Sequence, residues 1–150
     1  MERLRNLLVI TSLGLLALLL TAAPVHANQV EFDRYTVHYS VLSTHFLSPE
    51  VARAYDLRRS RSRALVNIAI MKRDSEEMES VPGNVRGQAM NLNRQVRHLR
   101  FRQIRAGDAY YHLAEVRVRP GEVLDFTLEV TAEDDDEVMP VNFQQVIYRH

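Results

Sequence analysis

The chain has no cysteine and no tryptophan among its 150 residues. Without cysteine there is no disulfide, no thiol nucleophile and no thiolate ligand for a metal. A lipid anchor attached through a cysteine thiol is excluded for the same reason. The fold must therefore rest on an apolar core, and at this length roughly two thirds of the unfolded chain's surface can be buried.

The sequence also lacks an apolar run long enough to cross a membrane. The apolar stretch from Leu7 to Leu20 has 14 residues, whereas a spanning helix needs about 18 to 20. Two arginines, Arg3 and Arg5, precede it, and it ends in small residues up to Ala27. This arrangement is typical of a secretory signal peptide. We expect residues 28–150 to form one domain, soluble in the periplasm and without a membrane anchor after cleavage.

Signatures of catalysis and of cofactor binding are missing as well. The five glycines form no phosphate-binding loop and no Gly-x-Ser-x-Gly elbow. The histidines that follow the signal peptide show no metal-ligand spacing, so they are predicted at the surface or at strand edges; they are His38, His45, His98, His112 and His150. We therefore expect no cofactor, no metal and no enzymatic activity. The alternative is a small periplasmic hydrolase whose paired carboxylates meet only in the fold.

What the mature chain does contain is alternation of apolar and polar residues, which is typical of strands with one buried face. Such segments, separated by turn residues, predict an all-β fold: a single antiparallel β-sandwich, immunoglobulin-like, with about seven strands and one short helix. The predicted strands are Tyr35–Val41, Val66–Ile70, Val85–Asn91, Leu99–Ile104, Tyr110–Val118, Leu124–Thr131 and Val141–Tyr148.

Two local predictions refine this fold. Ser48 can cap a helix that has Pro49 at its first position, which predicts one or two helical turns ending near Tyr55. The turn residues Pro120 and Gly121 predict a hairpin that places Arg117 across from Asp125 on its outer face.

Charge is distributed very unevenly along the chain. Leu57 to Arg105 holds twelve basic and four acidic residues, whereas Ala106 to His150 holds three and ten. Either the two halves neutralise each other inside the domain, or the basic half offers a face to an anionic partner. If the strand at Val66–Ile70 continues backward, alternate arginines share its outer face. The residues predicted to bind a partner are Arg58, Arg59, Arg61, Arg63, Arg100 and Arg102.

These arginines favour an envelope protein or another anionic envelope component as the partner. Nucleic acid is disfavoured by export, by the neutral total charge and by the absence of aromatic residues within the basic run. The sequence thus predicts a periplasmic binding module of unknown ligand. A competing interpretation is that the arginines protect an edge strand from pairing with other chains.

The run Glu133 to Glu137 consists of five adjacent acids. Carboxylate oxygens suit calcium, but the run lacks the spaced ligands and the turning glycine of a calcium loop. A solvated loop is favoured over a calcium site.

Three segments resemble a family of small exported proteins of Gram-negative bacteria known as a domain of unknown function. They read FLSPEVARAYDLRRSRSRALVNIAIMKR, HLRFRQIRAGDAYYHLAEVRV and DFTLEVT. The resemblance spans nearly the whole mature chain. It implies export and a single domain, and it implies no activity and no catalytic residues.

The signal peptide generates the first testable prediction. Protein purified from the cell envelope should begin at Asn28, because cleavage is expected after the small residues that end at Ala27. Mass spectrometry of the intact protein measures this directly. Recovery of the uncleaved chain from the membrane fraction would contradict both the cleavage and the loss of the anchor.

Overall fold

A computed structural model describes residues 28–74 and 76–148, which form ten β-strands, one α-helix and one 3-10 turn. The predicted signal peptide and His150 lie outside these residues. The elements in chain order are β1 (Asn28–Glu31), β2 (Tyr35–Ser43), the 3-10 turn (Thr44–Phe46), α1 (Pro49–Ala54), β3 (Arg63–Asp74), β4 (Glu77–Val81), β5 (Gly83–Asn91), β6 (Val96–Leu99), β7 (Arg102–Ala106), β8 (Ala109–Arg117), β9 (Val123–Ala132) and β10 (Met139–Val146).

The strands form two antiparallel sheets, which confirms the predicted all-β sandwich. The first sheet has the order β1-β2-β3-β8-β7, with β4 pairing beside the second half of β3, and the second has the order β10-β9-β5-β6. Ten strands replace the seven expected. The short strands β1 and β4 were missed because both are largely polar and exposed, so neither shows an alternating apolar face.

The core lies between the sheets and is built from the alternating residues predicted to face inward. Val66, Ile68 and Ile70 of β3 are fully buried. An aromatic stack links the sheets: Tyr39 on β2 stacks on Phe143 of β10 at 4.1 Å between ring centroids, and Phe143 stacks on Phe126 of β9 at 4.7 Å. These contacts fix how the two sheets face each other.

The predicted helix is confirmed as α1. The Ser48 hydroxyl accepts a hydrogen bond from the Val51 amide at 3.2 Å, which caps the first turn. Val51 and Ala52 are buried in a second apolar cluster with Leu65 of β3 and Leu113 of β8. Both strand residues point away from the main core, so α1 covers the outer face of the first sheet. A helix this short depends on such packing for its stability.

The segment predicted as one strand at Leu99–Ile104 passes from one sheet to the other. β6 pairs with β5 in the second sheet, whereas β7 pairs with β8 in the first. Leu99 is buried and Phe101 packs against the main core between them. The alternation of apolar and polar residues therefore continues across the change of sheet. For this reason the sequence pattern predicts one continuous strand.

The predicted hairpin around Pro120 and Gly121 is wrong. β8 pairs with β3 and β7, while β9 pairs with β5 and β10, so this turn connects the two sheets. Arg117 lies opposite Arg63 instead of Asp125. A Pro-Gly turn between two alternating segments fits a hairpin and an inter-sheet connection equally well, and only non-local strand pairing decides between them.

Phe126→Ala should lower the free energy of unfolding by roughly 3 to 5 kcal/mol. The ring is 1% exposed and belongs to the aromatic stack, so its loss leaves a cavity between the sheets. Denaturant titration measures the change. The neighbouring Asp125→Ala is the control, because its carboxylate accepts only an exposed hydrogen bond from Gln144 in the described structure. Equal costs for the two variants would contradict the assignment of faces on β9.

Candidate functional site

Five arginines converge on one open cleft at the end of the sandwich where β3 begins and β8 ends. They come from the loop before β3, from β3 and β8 in the first sheet, from β6 in the second sheet and from the turn that connects the sheets. We call this the basic cleft; its lining is Arg58, Ser60, Ser62, Arg63, Gln95, Val96, Arg97, Arg117, Val118 and Arg119.

Two of these arginines lie directly opposite each other. Arg63 of β3 and Arg117 of β8 are cross-strand partners at the end of the ladder. Like charges in this position are destabilising. Glu115 offsets part of the repulsion: its carboxylate lies 3.9 Å from the Arg63 guanidinium and also accepts a hydrogen bond from the Arg58 amide. An anion bound between the two arginines would relieve the remainder.

The cleft is held together by an ion pair between Arg97 and Glu122. The guanidinium donates from both terminal nitrogens to the two carboxylate oxygens, at 2.5 and 2.8 Å. Arg97 also donates to the carbonyl of Arg117 at 2.8 Å, which joins β6 of the second sheet to β8 of the first. Glu122 accepts further hydrogen bonds from the Asn91 side chain and the Arg119 amide. Chiefly through the hydrogen bonds from Arg97, the pKa of Glu122 is lowered to about 2.

The other cationic side chains of the cleft are not neutralised in this way. Within residues 28–74 and 76–148, the guanidinium groups of Arg58, Arg117 and Arg119 form no ion pair, and all three residues are exposed. Ser60 and Ser62 add hydroxyls that hydrogen-bond each other at 2.9 Å. Guanidinium groups bind carboxylates and phosphates through paired N–H donors, so the free groups suit an anionic ligand.

The structure places only two of the six predicted binding residues, Arg58 and Arg63, in the basic cleft. Residues 58–62 are a loop and not a backward continuation of β3, so the expectation that alternate arginines share one strand face is wrong. Arg59 donates to the His45 carbonyl at 3.3 Å, and Arg61 is exposed in the turn. The edge-strand interpretation does not fit this segment, because residues 58–62 are not in a strand and β3 is paired on both sides from Ala64 to Ile68.

The two remaining predicted residues lie away from the cleft lining. Arg100 is exposed where the chain passes from β6 to β7, and the Arg102 guanidinium donates to the carbonyl of Tyr55 at the end of α1. Leu99 is buried and Phe101 is partly buried, whereas Arg100 and Arg102 are exposed. Arg102 thus tethers the helix to β7.

Sequence reasoning missed Arg97, Arg117 and Arg119. Arg97 faces inward at the edge of the sandwich, where its charge is acceptable only because Glu122 pairs with it. Arg117 was predicted to lie across from Asp125 in a hairpin that does not form. One signal was available: an acid, Glu122, directly follows the Pro-Gly turn and lies close in sequence to Arg117 and Arg119.

Acidic residues gather at the opposite end of the first sheet. β3 ends at Asp74, and the turn that follows leads into β4. An open cleft there, the acidic cleft, is lined by carboxylates with one arginine, Arg105; the acids are Asp74, Glu76, Glu77, Glu79 and Asp108. The alternative of a hydrolase with paired carboxylates stays a prediction.

The acidic run Glu133 to Glu137 forms the loop between β9 and β10 and lies at the same end. Asp135 accepts hydrogen bonds from the Arg34 guanidinium at 2.5 Å and from the Tyr35 hydroxyl at 3.0 Å, so the loop is fastened to the start of β2. The Glu137 amide, donating to the carboxylate, lowers the pKa of Asp135. That this run is a solvated loop and not a calcium site stays a prediction.

His112 is buried, so the expectation that it lies at the surface or at a strand edge is wrong. It is 2% exposed, on β8, and both ring nitrogens face acceptors: Nδ1 lies 3.3 Å from the Ile68 carbonyl, and Nε2 lies 3.1 Å from the Gly83 carbonyl. Gly83 begins β5, so the ring bridges the two sheets. Burial lowers the pKa of His112, and the two carbonyls oppose that shift in part. Within the described residues it acts as a structural bridge.

Within the described part of the chain, no three histidine, cysteine, aspartate or glutamate side chains lie close enough together to hold a metal ion. No helix within the described ranges is both long and apolar enough to cross a bilayer.

The fold of this chain is similar to that of proteins of known structure. The family model described as "Domain of unknown function (DUF4426)" matches residues 29–150, and the chain belongs to this family. The crystal structure of a DUF4426 family protein from Pseudomonas aeruginosa PAO1 is similar, with a TM-score of 0.71 and 30% identity over 83% of this chain and 96% of that chain. Comparison with curated proteins gave no match.

The fold is also shared with FetP of uropathogenic Escherichia coli. A FetP structure expressed recombinantly in the periplasm has a TM-score of 0.60 and 10% identity, covering 84% of this chain and 95% of that chain. A copper-bound FetP variant has a TM-score of 0.58 and 10% identity, covering 81% and 94%. At this identity the likeness concerns the fold.

The ion pair in the cleft generates a stability prediction. Glu122→Gln should lower the free energy of unfolding at neutral pH by roughly 3 kcal/mol, because a pKa lowered from 4.5 to about 2 corresponds to about that much. The carboxylate contributes this stability above its unfolded pKa. The contribution is lost as the pH falls from 4.5 toward 2, so the difference between wild type and variant should shrink over that window.

Glu129→Gln is the matched control, because Glu129 pairs with Arg86 at 2.6 Å in a much more exposed position. Such a pair contributes at most about 1 kcal/mol. Urea titrations of the three proteins between neutral pH and pH 2 measure both effects. Equal costs for Glu122→Gln and Glu129→Gln would show that the pair within the cleft has no special structural role.

Proposed function

We propose that this chain is an exported binding module that docks an acidic partner protein of the cell envelope in the basic cleft. The proposal rests on the convergence of five arginines from both sheets on one cleft, where two glutamates among the described residues act as counter-ions. At this end of the molecule, the basic half of the sequence offers its positive charge to an anionic partner instead of pairing with acids inside the domain.

The cross-strand pair of Arg63 and Arg117 favours a role in ligand binding over a role only in keeping the surface soluble. A like-charge pair at the end of a ladder costs stability, and either residue could be replaced by a neutral one without disturbing the core. Its presence beside the unneutralised guanidinium groups of Arg58 and Arg119 is explained by a ligand that supplies the missing negative charge. A carboxylate placed between Arg63 and Arg117 would meet paired N–H donors from two strands.

The apolar part of the lining favours a protein partner. Val96 is 46% exposed at the wall of the cleft, and Val118 lines its floor. Arginine next to exposed apolar side chains is typical of protein interfaces, whose centres combine both. A lipid headgroup would use the arginines and leave Val96 in water.

The proposed site in the cell is the periplasm. The signal-peptide pattern supports this, and so does the fold shared with FetP, which was itself expressed in the periplasm. An acidic docking segment on another envelope protein would be accessible to the cleft there.

Replacing Arg58, Arg117 and Arg119 together by serine should weaken binding of a fluorescein-labelled hexaglutamate peptide at least about tenfold, equivalent to about 1.4 kcal/mol. The matched control replaces Arg59, Arg61 and Arg100 by serine, which removes the same charge outside the cleft lining. We expect a change of less than about threefold for the control, because its arginines act only through screened long-range charge. Fluorescence anisotropy at about 50 mM salt measures both affinities.

Equal losses for the two triple variants would overturn the assignment of the cleft, since they would reflect net charge alone. Vesicles of phosphatidylglycerol provide the second arm. Binding to vesicles with no measurable peptide binding would replace the protein partner by a lipid headgroup. Circular dichroism melts establish that both variants are folded, which is expected because all the replaced side chains except Arg59 lack a side-chain hydrogen bond within the described structure.

A further inference from the structure

The two charged clefts lie at opposite ends of the same strands. Arg63, at the start of β3, lines the basic cleft, and Asp74, at the end of β3, lines the acidic cleft. A strand of twelve residues spans roughly 35 Å. β8 runs the other way between the same ends, from next to Asp108 to Arg117. The sandwich therefore carries its positive and negative surfaces at two poles.

The acidic pole has the features that the basic cleft requires of a ligand. Glu76, Glu77 and Glu79 are exposed on and beside the turn that enters β4, and within the described residues none forms an ion pair. Met78, which is 43% exposed, lies among them in the sequence. Exposed acids on both sides of an exposed apolar residue match a cleft of arginines with an apolar wall.

We propose that the acidic pole of one copy of this chain docks in the basic cleft of a second copy. The inference rests on the anion-binding role proposed for that cleft, and it names a second copy as one of its partners. The chain as a whole has no net charge, so electrostatic repulsion between copies does not oppose their approach at low salt.

The geometry makes this contact head-to-tail. Each copy uses different surfaces on its two sides, so the contact is heterologous, and each docked copy leaves one free cleft and one free acidic pole. Association therefore produces open chains of increasing length instead of a closed dimer. The contact competes with any other acidic partner for the basic cleft, and its exposed charge pairs are screened by salt.

Sedimentation velocity of variants, alone and mixed, tests the proposal. The cleft variant is the Arg58, Arg117 and Arg119 triple serine protein, and the pole variant carries Glu76→Gln, Glu77→Gln and Glu79→Gln. The wild type should show a weight-average sedimentation coefficient that rises with protein concentration at about 20 mM salt and returns to the monomer value at about 500 mM. Each variant alone should remain monomeric, because one of the two surfaces is missing.

An equimolar mixture of the two variants should form a 1:1 dimer and nothing larger. The cleft variant retains its acidic pole, the pole variant retains its basic cleft, and after they dock neither can extend the chain. The Arg59, Arg61 and Arg100 triple serine protein is the control and should associate like the wild type. Hexaglutamate should dissociate the wild-type chains.

Three results would overturn the inference: a monomeric wild type at about 20 mM salt, continued association of either variant alone, or no dimer in the mixture. A folded wild type that binds hexaglutamate through the cleft and yet stays monomeric would leave the proposed function standing and refute only the self-association. Loss of both peptide binding and association would refute the two together.

Discussion

The ion pair between Arg97 and Glu122 is the contact on which the basic cleft depends. It joins β6 to the turn between the sheets, and through the carbonyl of Arg117 it reaches β8 in the opposite sheet. The Glu122 carboxylate is paired with the Arg97 guanidinium, so it does not neutralise the exposed arginines around it. The same carboxylate that closes this end of the sandwich thereby leaves the cleft positively charged.

Antiparallel pairing explains why the charges separate into poles. β3 begins with a basic loop and ends beside acids, β8 runs from an acidic turn to Arg117, and β9 runs from Glu122 to the acidic loop at residues 133–137. β3 becomes more acidic along the chain and β8 becomes more basic. Because these two strands are antiparallel, their basic ends lie together at one end of the sandwich and their acidic ends lie together at the other. Only a few pairs, such as Arg86 with Glu129, neutralise charge across neighbouring strands.

Local patterns in the sequence predicted the elements that local chemistry determines. The inward faces of β3 and β9 and the cap of α1 follow from alternation and from Ser48-Pro49, and the structure confirms them. The partners of the strands depend on contacts between distant residues. For that reason the turn at Pro120 was assigned to a hairpin, and Arg58 and Arg63 were predicted without the Arg97, Arg117 and Arg119 that complete the cleft.

The segment at residues 96–106 belongs to both sheets, and this has a mechanical consequence. Arg97 fastens its beginning at the basic pole, Arg102 holds α1 near its middle, and Arg105 lines the acidic cleft at its end. Sliding of one sheet past the other would strain this covalent segment, as it would the turn at Pro120 and the link from β4 to β5. A pull applied from pole to pole would therefore load both sheets together.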